Sequence, residues 1–302
     1  MTAWPSVGVI LPTHDRPGTL RVALAAVLAQ DYPGELRAIV VHDRSEPDQS
    51  VADGDRVRVV ANSRTPGLAG ARNTGVIALG TDLVAFCDDD DEWLPGKLLA
   101  QVTALREQPA AEFASCGIVI DFEGRHSVRL VGADQVSYQD LLRSRMMMVH
   151  SSTYVVRRAA LLDGIGLVDE TIPASQNEDW DLALRGARRH PIAYVDRPLV
   201  RVAWGSTSYF SQKWETKIDG LIWMLDHHPD IGGCPPGAAR VYAQLSFANA
   251  CLGRRAEAWR WTTRALRSNW HERRVPFAVA VTTGLLSGET VLKRLNARGH
   301  GI

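Results

Sequence analysis

Apolar residues near the start of the chain fall into short blocks: Val7-Gly8-Val9-Ile10-Leu11, Leu36 to Val41, Val57 to Ala61 and Leu83-Val84-Ala85-Phe86-Cys87. Each block is too short for a helix and is bounded by proline, glycine or charged residues, the pattern of a buried strand. Between them the period changes. Leu20, Leu24, Val27 and Leu28 recur at helical spacing, with Asp15 or Thr19 placed to cap that helix, and Pro33-Gly34 ends it. Gly67-Leu68-Ala69-Gly70-Ala71-Arg72-Asn73-Thr74-Gly75 opens a second, small-residue helix. Strands alternating with helices predict an α/β fold with a doubly wound, mostly parallel sheet. Right-handed crossovers then bring the C-terminal ends of the strands to one edge. Asp15, Asp43 and the run Asp88-Asp89-Asp90-Asp91 should meet there, far apart as they are in sequence.

The pattern continues beyond Pro95 with a helix carrying Leu98, Val102 and Leu105. Phe113 to Ile120 and Ser127 to Val131 form a hairpin around Asp121-Phe122-Glu123-Gly124, and Thr153 to Val156 is a further strand. A helix from about Glu178 to Arg189 precedes Ile192–Val195 and Leu199–Val202, which close the sheet. From about residue 212 the periodicity is helical, with Trp214, Ile218, Leu221, Ile222 and Leu225 on one stripe. The expected division is a sheet domain over 1–211 and a C-terminal helical region over 212–302.

Composition narrows the choices. Lys+Arg and Asp+Glu are each 34, so no global basic field points to nucleic acid. Cys87, Cys116, Cys234 and Cys251 are scattered, without C-x-x-C spacing, as in a reduced cytoplasmic protein. The first residues lack the charged and apolar segments of a signal peptide, and no stretch approaches the ~20 apolar residues that span a bilayer. Val275 to Leu286, followed by Lys293, Arg294 and Arg298, offers a surface for peripheral membrane contact, although a packed helix also accounts for it.

The strongest chemical signal is the acidic run. Crowded carboxylates at the end of a buried strand call for a cation, and in open α/β sheets ligands bind at that end. If the strand continues, Asp88 and Asp90 share one side and aim two carboxylates at one divalent ion. An EF-hand is a poor alternative because Glu92-Trp93-Leu94 occupies positions where that loop needs Asp or Asn and then Gly. Gly67-x-x-Gly70 lacks dinucleotide-fingerprint spacing. At Glu178-Asp179 the start of a helix favours ionised carboxylates, and Ser175 and Glu178 have capping-box spacing. A general base must be ionised, a role that suits Asp179. His150, with Ser151, Ser152 and Thr153, reads equally as an acceptor-pocket group or a structural histidine, and Trp180 as core or acceptor wall.

Phe86-Cys87-Asp88-Asp89-Asp90-Asp91-Glu92-Trp93-Leu94-Pro95-Gly96-Lys97-Leu98 resembles the D-x-D segment of family 2 glycosyltransferases of the GT-A fold. Val9 to Arg16 is similar to that family's P-T-x-N-R loop, Gly67 to Gly75 to its G-x-x-x-A-R-N-x-G segment, and Glu178 to Arg185 to its E-D motif. The resemblance implies an inverting glycosyltransferase with Mn²⁺ or Mg²⁺ at Asp88 and Asp90, Asp90 being the main ligand. Asp88, Asp89 and Asp90 would face the donor diphosphate and ribose, Pro12, Thr13 and Asp15 would form the nucleotide loop, Asp43 would read the base, and Arg72 would lie at the nucleotide. Asp179 would be the base. The implied partners are a nucleoside-diphosphate sugar, with UDP as the base carrier, and a small-molecule, saccharide or lipid-linked acceptor. Two places depart from the family pattern: His42-Asp43-Arg44-Ser45 stands where D-D-G-S is usual, and Val202 to Ser208 lacks the histidine that supplies a further ligand. The rival readings are a sugar-nucleotide pyrophosphorylase, which would carry a glycine- and lysine-rich loop after strand one, and a helical scaffold with a degenerate catalytic domain.

Overall fold

The computed structural model describes residues 3–203 and 214–296. One ten-stranded sheet organises the N-terminal part, in the order β3-β2-β1-β4-β9-β6-β10-β5, with β7 on β6 and β8 on β10. β1 (Val7–Thr13), β2 (Leu36–His42), β3 (Val57–Ala61) and β4 (Leu83–Phe86) are mutually parallel and linked by α1 (Pro17–Leu28) and α2 (Leu68–Ala78). This is the doubly wound half that the alternating blocks predict. β9 (Val155–Arg157) then runs antiparallel to both β4 and β6 (Phe113–Phe122), while β10 (Ile192–Ala203) is parallel to β6. The sheet as a whole is therefore mixed. β5 (Asp91–Trp93) caps the edge antiparallel to β10, β7 (Arg125–Arg129) completes the predicted hairpin, and β8 (Gln135–Val136) pairs with β10. The two predicted closing strands are one strand, β10, whose register shifts between Val195 and Val200.

Each face of the sheet has its own core. β1 is buried along its whole length, and its side chains alternate between the two cores. Val7, Val9 and Leu11 pack with Leu20, Leu24 and Val27 of α1 and with Leu98, Val102 and Leu105 of α3 (Lys97–Glu107). Ile10 faces the other way, toward α2, where a Cβ on Gly75 would lie 2.5 Å from the Ile10 Cγ2. Only a glycine lets the helix lie this close to the strand.

The second core contains Trp180 and Leu184 of α6 (Glu178–Arg189) and continues into Ile218, Leu221 and Met224 of α7 (Trp214–His227). It reaches Ile231 of α8 (Pro229–Gly233) and Val241 and Leu245 of α9 (Pro235–Cys251). The C-terminal helices thus share a core with the sheet and are not tethered beside it. α10 (Arg255–Ser268), α11 (Val275–Thr282) and α12 (Gly288–Asn296) pack outside α9. Among the described residues no helix is long and apolar enough to cross a membrane. The short helices α4 (Tyr138–Arg143) and α5 (Arg158–Asp163) flank the segment that leads into β9.

Candidate active site

Parallel pairing fixes the first part of the site. Thr13 lies opposite His42, and Ile10 opposite Phe86, so β1, β2 and β4 end side by side. The chain leaves β2 at Asp43, whose amide donates to the Thr13 carbonyl at 2.9 Å. The buried Asp43 carboxylate accepts from Asn62 Nδ2 at 2.8 Å, the Gly67 amide at 3.0 Å and Arg44 Nε at 3.0 Å. Burial acts to raise its pKa, but these donors outweigh burial and hold it below the usual carboxylate range. The Arg44 that replaces the family's glycine therefore clasps Asp43 and adopts φ 52°.

β4 stops at Phe86, and the acidic run is a turn closed by the Asp91 amide on the Asp88 carbonyl at 3.1 Å. The continuing strand that would have set Asp88 and Asp90 on one side is absent. Instead the turn juxtaposes its first and last residues: ligand atoms of Asp88, Asp91 and His150 all lie within 4.8 Å of one another. Asp90 turns to Arg16 Nη1, at 2.7 Å, and Asp89 is shared between Arg16 at 3.2 Å and the Thr13 hydroxyl at 2.7 Å. Pro12 is buried at the end of β1, whereas Asp15 is exposed at φ 53° and lies 3.9 Å from His14. The loop of Asp15 stays beside the end of β2, where His14 Nδ1 lies 2.7 Å from the Asp43 carbonyl.

Arg72 ties the halves of the site together. Its guanidinium is buried between Asp88, at 2.6 Å, and Glu178. Asp88 also accepts from the Ser151 hydroxyl at 2.8 Å. Burial acts to raise the Asp88 pKa, but Arg72, His150 and these hydrogen bonds bring it below the ordinary value. Asp91 behaves oppositely: burial and the charges of Asp88 and Asp90 push it well above. Burial, then Asp88 and Asp89, also raise Asp90.

At the head of α6, Asp179 is buried and gripped by Arg145 Nη2 through both oxygens, at 3.0 and 2.8 Å. The Trp180 amide adds a bond of 2.8 Å. Burial opposes ionisation here as well, but Arg145, His150 and the amide outweigh it, and the pKa is lowered. For Glu178 the balance goes the other way: burial raises it to about 7 despite Arg72, so the helix start alone does not keep both acids ionised. The expected capping box is also missing. Asn177 takes the cap position at φ 69° without a side-chain bond, and the Ser175 hydroxyl accepts from the Ala69 amide at 3.2 Å instead. Likewise, neither Asp15 nor Thr19 caps α1, where Arg16 holds the cap position. Trp180 is core, donating to the Leu141 carbonyl at 3.1 Å. Residues 204–208, most of the stretch that departs from the family pattern in lacking a histidine, lie outside the described residues.

The order and geometry of these elements match a known family: the model of glycosyl transferase family 2 fits residues 8–163, more than half of the chain. The chain belongs to glycosyl transferase family 2. The family match takes in Asp43, Arg72, the acidic turn, Arg145 and His150, and ends before Asp179. A beta-1,3-glucosyltransferase of Campylobacter jejuni, named for GalNAc(5)-diNAcBac-PP-undecaprenol, is 31% identical over 153 residues, covering 47% of this chain and 48% of that protein. The pre-mycofactocin glycosyltransferase of Mycobacterium tuberculosis is 30% identical over 203 residues, 63% of this chain and 42% of the relative. These matches span less than half the length of either relative. Among solved structures, S. aureus TarS 1-349 in complex with UDP-GlcNAc superposes with a TM-score of 0.61 at 15% identity, over 98% of this chain and 92% of that one. That likeness gives the family 2 chain its GT-A fold.

Sequence reasoning passed over Arg145 and placed neither His150 nor Asp91 among the possible metal ligands. The polar run His150 to Thr153 ahead of a buried strand was the available signal. Nothing in spacing marked Arg145.

Proposed function

We propose that this chain is an inverting, metal-dependent glycosyltransferase that moves a sugar from a UDP-sugar to a hydroxyl of a lipid-linked saccharide. The observation that carries the reading is the convergence at one sheet edge of Asp43, Arg72, the acidic turn and Asp179. Asp43, held charged in a polar pocket, would read the nucleotide base, with Pro12, Thr13 and Asp15 in the adjoining loop. Asp88 and Asp90, with Asp89 in support, would face the donor diphosphate, and Arg72 would keep Asp88 oriented.

The donor set suits Mn²⁺ or Mg²⁺. Carboxylate oxygens dominate it, potential ligand atoms of Asp88, Asp91 and His150 lie within 4.8 Å of one another, and burial with neighbouring carboxylates raises both Asp91 and Asp90, as expected where a cation belongs. Asp88 and Asp90 would hold the ion, with Asp91 and His150 as neighbouring donors and Arg16 giving up Asp90. When bound, such an ion neutralises charge that develops on the leaving diphosphate. Asp179 would take the proton from the acceptor hydroxyl as that oxygen attacks the anomeric carbon from the face opposite the diphosphate. The bond from oxygen to carbon forms as the bond to the phosphate oxygen breaks, which inverts the centre.

A lipid-linked acceptor agrees with the C-terminal helical region, in which Trp259, Leu266, Trp270 and Leu285 are exposed, as are Arg260 and Arg267. The test is calorimetric titration of UDP, GDP and their sugar conjugates with and without Mn²⁺. UDP should bind more tightly with the metal, and Asp90→Asn should remove that dependence. Equal affinity for all bases, or metal-independent binding, would overturn the donor assignment.

A further inference from the structure

A second concave site is lined by the residues that precede and follow Arg145 in the chain. It is a cleft of about 420 Å³ between the 143–148 segment and the C-terminal helices. Three arginines reach it from three elements: Arg143 ends α4, Arg240 lies in α9 and Arg274 precedes α11. Met146, Met147 and Met148 form its apolar side. The wall is a built contact, because α9 meets the end of α4 at Gly237, where a Cβ would lie 1.9 Å from the Leu142 carbonyl oxygen.

The cleft holds more positive charge than its neighbours answer. Of the described residues, Asp140 is the one acid in its lining against three arginines, and its Oδ2 accepts from the amide and hydroxyl of Ser137. Arg274 pairs with Glu272 at 2.9 Å, and Arg240 donates to the neutral Ser144 hydroxyl at 2.7 Å. Among the described residues neither Arg143 nor Arg240 has an ion-pair partner. The Nε atoms of Arg240 and Arg274 are buried without a hydrogen-bond acceptor. Buried donors left in this way cost free energy until an acceptor arrives. Burial, Arg274 and Arg145 together pull the Arg240 guanidinium down to about 10 against the opposing pull of Glu272, which fits an uncompensated positive cluster.

The position matters as much as the charge. Ser144 and Met146 of the cleft wall flank Arg145, whose guanidinium clasps Asp179. We propose that the cleft binds a phosphate or diphosphate group of the acceptor, with Arg143, Arg240 and Arg274 meeting the charge and Met146–Met148 meeting the chain attached to it. Planar guanidinium donors match phosphate oxygens, and the methionines adapt to an irregular apolar chain. The inference rests on the acceptor reading above and names the chemical group by which that acceptor is held.

The test measures binding of farnesyl diphosphate, inorganic pyrophosphate and farnesol to the full chain in saturating UDP, with UDP titrated separately. Farnesyl diphosphate should bind, and Arg143→Gln and Arg240→Gln should each weaken it roughly tenfold with UDP affinity unchanged. Arg143 is exposed, so its variant keeps the test readable if Arg240→Gln fails to fold. Pyrophosphate binding more weakly than farnesyl diphosphate supports the role given to Met146–Met148, and pyrophosphate binding as tightly would overturn that role and point to a water-soluble phosphate-bearing acceptor. Farnesol binding equally well, or diphosphate binding that is absent or indifferent to both substitutions, would overturn it. Failure of UDP to bind would sink the donor assignment while the arginine variants still report on the cleft.

Discussion

Two groups of adjacent acids sit at the same edge of the sheet in different electrostatic circumstances. At the head of α6, Asp179 is buried but has Arg145 bound through both oxygens, and its pKa is lowered. In the acidic turn, Asp88 has Arg72, and Asp89 and Asp90 share a partly exposed Arg16, whereas Asp91 has the Ser152 hydroxyl at 2.5 Å and His150 at 3.4 Å. Asp91 is pushed well above its ordinary value by burial and by its neighbours. Burial is common to both places, so it cannot explain the difference; the supply of counter-charge does. Asp179 is finished as a fixed anion, and Asp91 is left short of positive charge.

The comparison is tested most strongly by removing the fixed anion. Asp179→Asn keeps the shape and loses the base, so the transfer rate to a short-chain acceptor should fall about a thousandfold, within the range for losing general-base catalysis. UDP affinity should not change, because Asp179 lies on the acceptor side. A variant that transferred sugar at the original rate would remove Asp179 from the mechanism.

A smaller effect is expected from removing the counter-charge. In Arg145→Gln burial acts on Asp179 with less opposition, and its pKa rises. The base works only when ionised, so the acid limb of the kcat/KM profile should move to higher pH than in the unmodified chain. An unchanged limb with uniformly lower kcat would mean that Arg145 only supports the fold.

The same contrast accounts for what could be read in the sequence. The parallel half of the sheet was legible because β1, β2 and β4 are buried on both faces and appear as continuous apolar runs ending at Thr13, His42 and Phe86. That placed Asp43 and the acidic run together. The internal arrangement of the run was not legible: whether Asp88 meets Asp90 or Asp91 depends on where β4 stops, and an unbroken row of aspartates carries no signal for a turn. The grip of Arg145 on Asp179 joins positions 34 residues apart through packing of α4 on α6, which no periodicity encodes.

The smallest effects are on stability, and the two groups should differ in sign. Asp179 has a lowered pKa in the folded chain, so its contribution is present above the ordinary value of 3.8 and is lost as pH falls through the lower folded value. Near neutral pH, Asp179→Asn takes that contribution away and leaves the half-exposed Arg145 without its anion, a loss of about 1–3 kcal/mol. Asp91 has a raised pKa, so its stabilising contribution is complete below 3.8 and is lost as pH rises through the higher folded value. Asp91→Asn removes that loss, and in EDTA near neutral pH it should raise Tm where Asp179→Asn lowers it. Acidification toward pH 4 should shrink the Asp91→Asn difference, whereas the Asp179→Asn difference should persist there and fade only at lower pH. Adding Mn²⁺ should then raise the Tm of the unmodified chain more than that of Asp91→Asn, because a ligand that binds only the folded state stabilises in proportion to its affinity. If both substitutions shifted Tm in the same direction without metal, counter-charge would not be what separates the two sites.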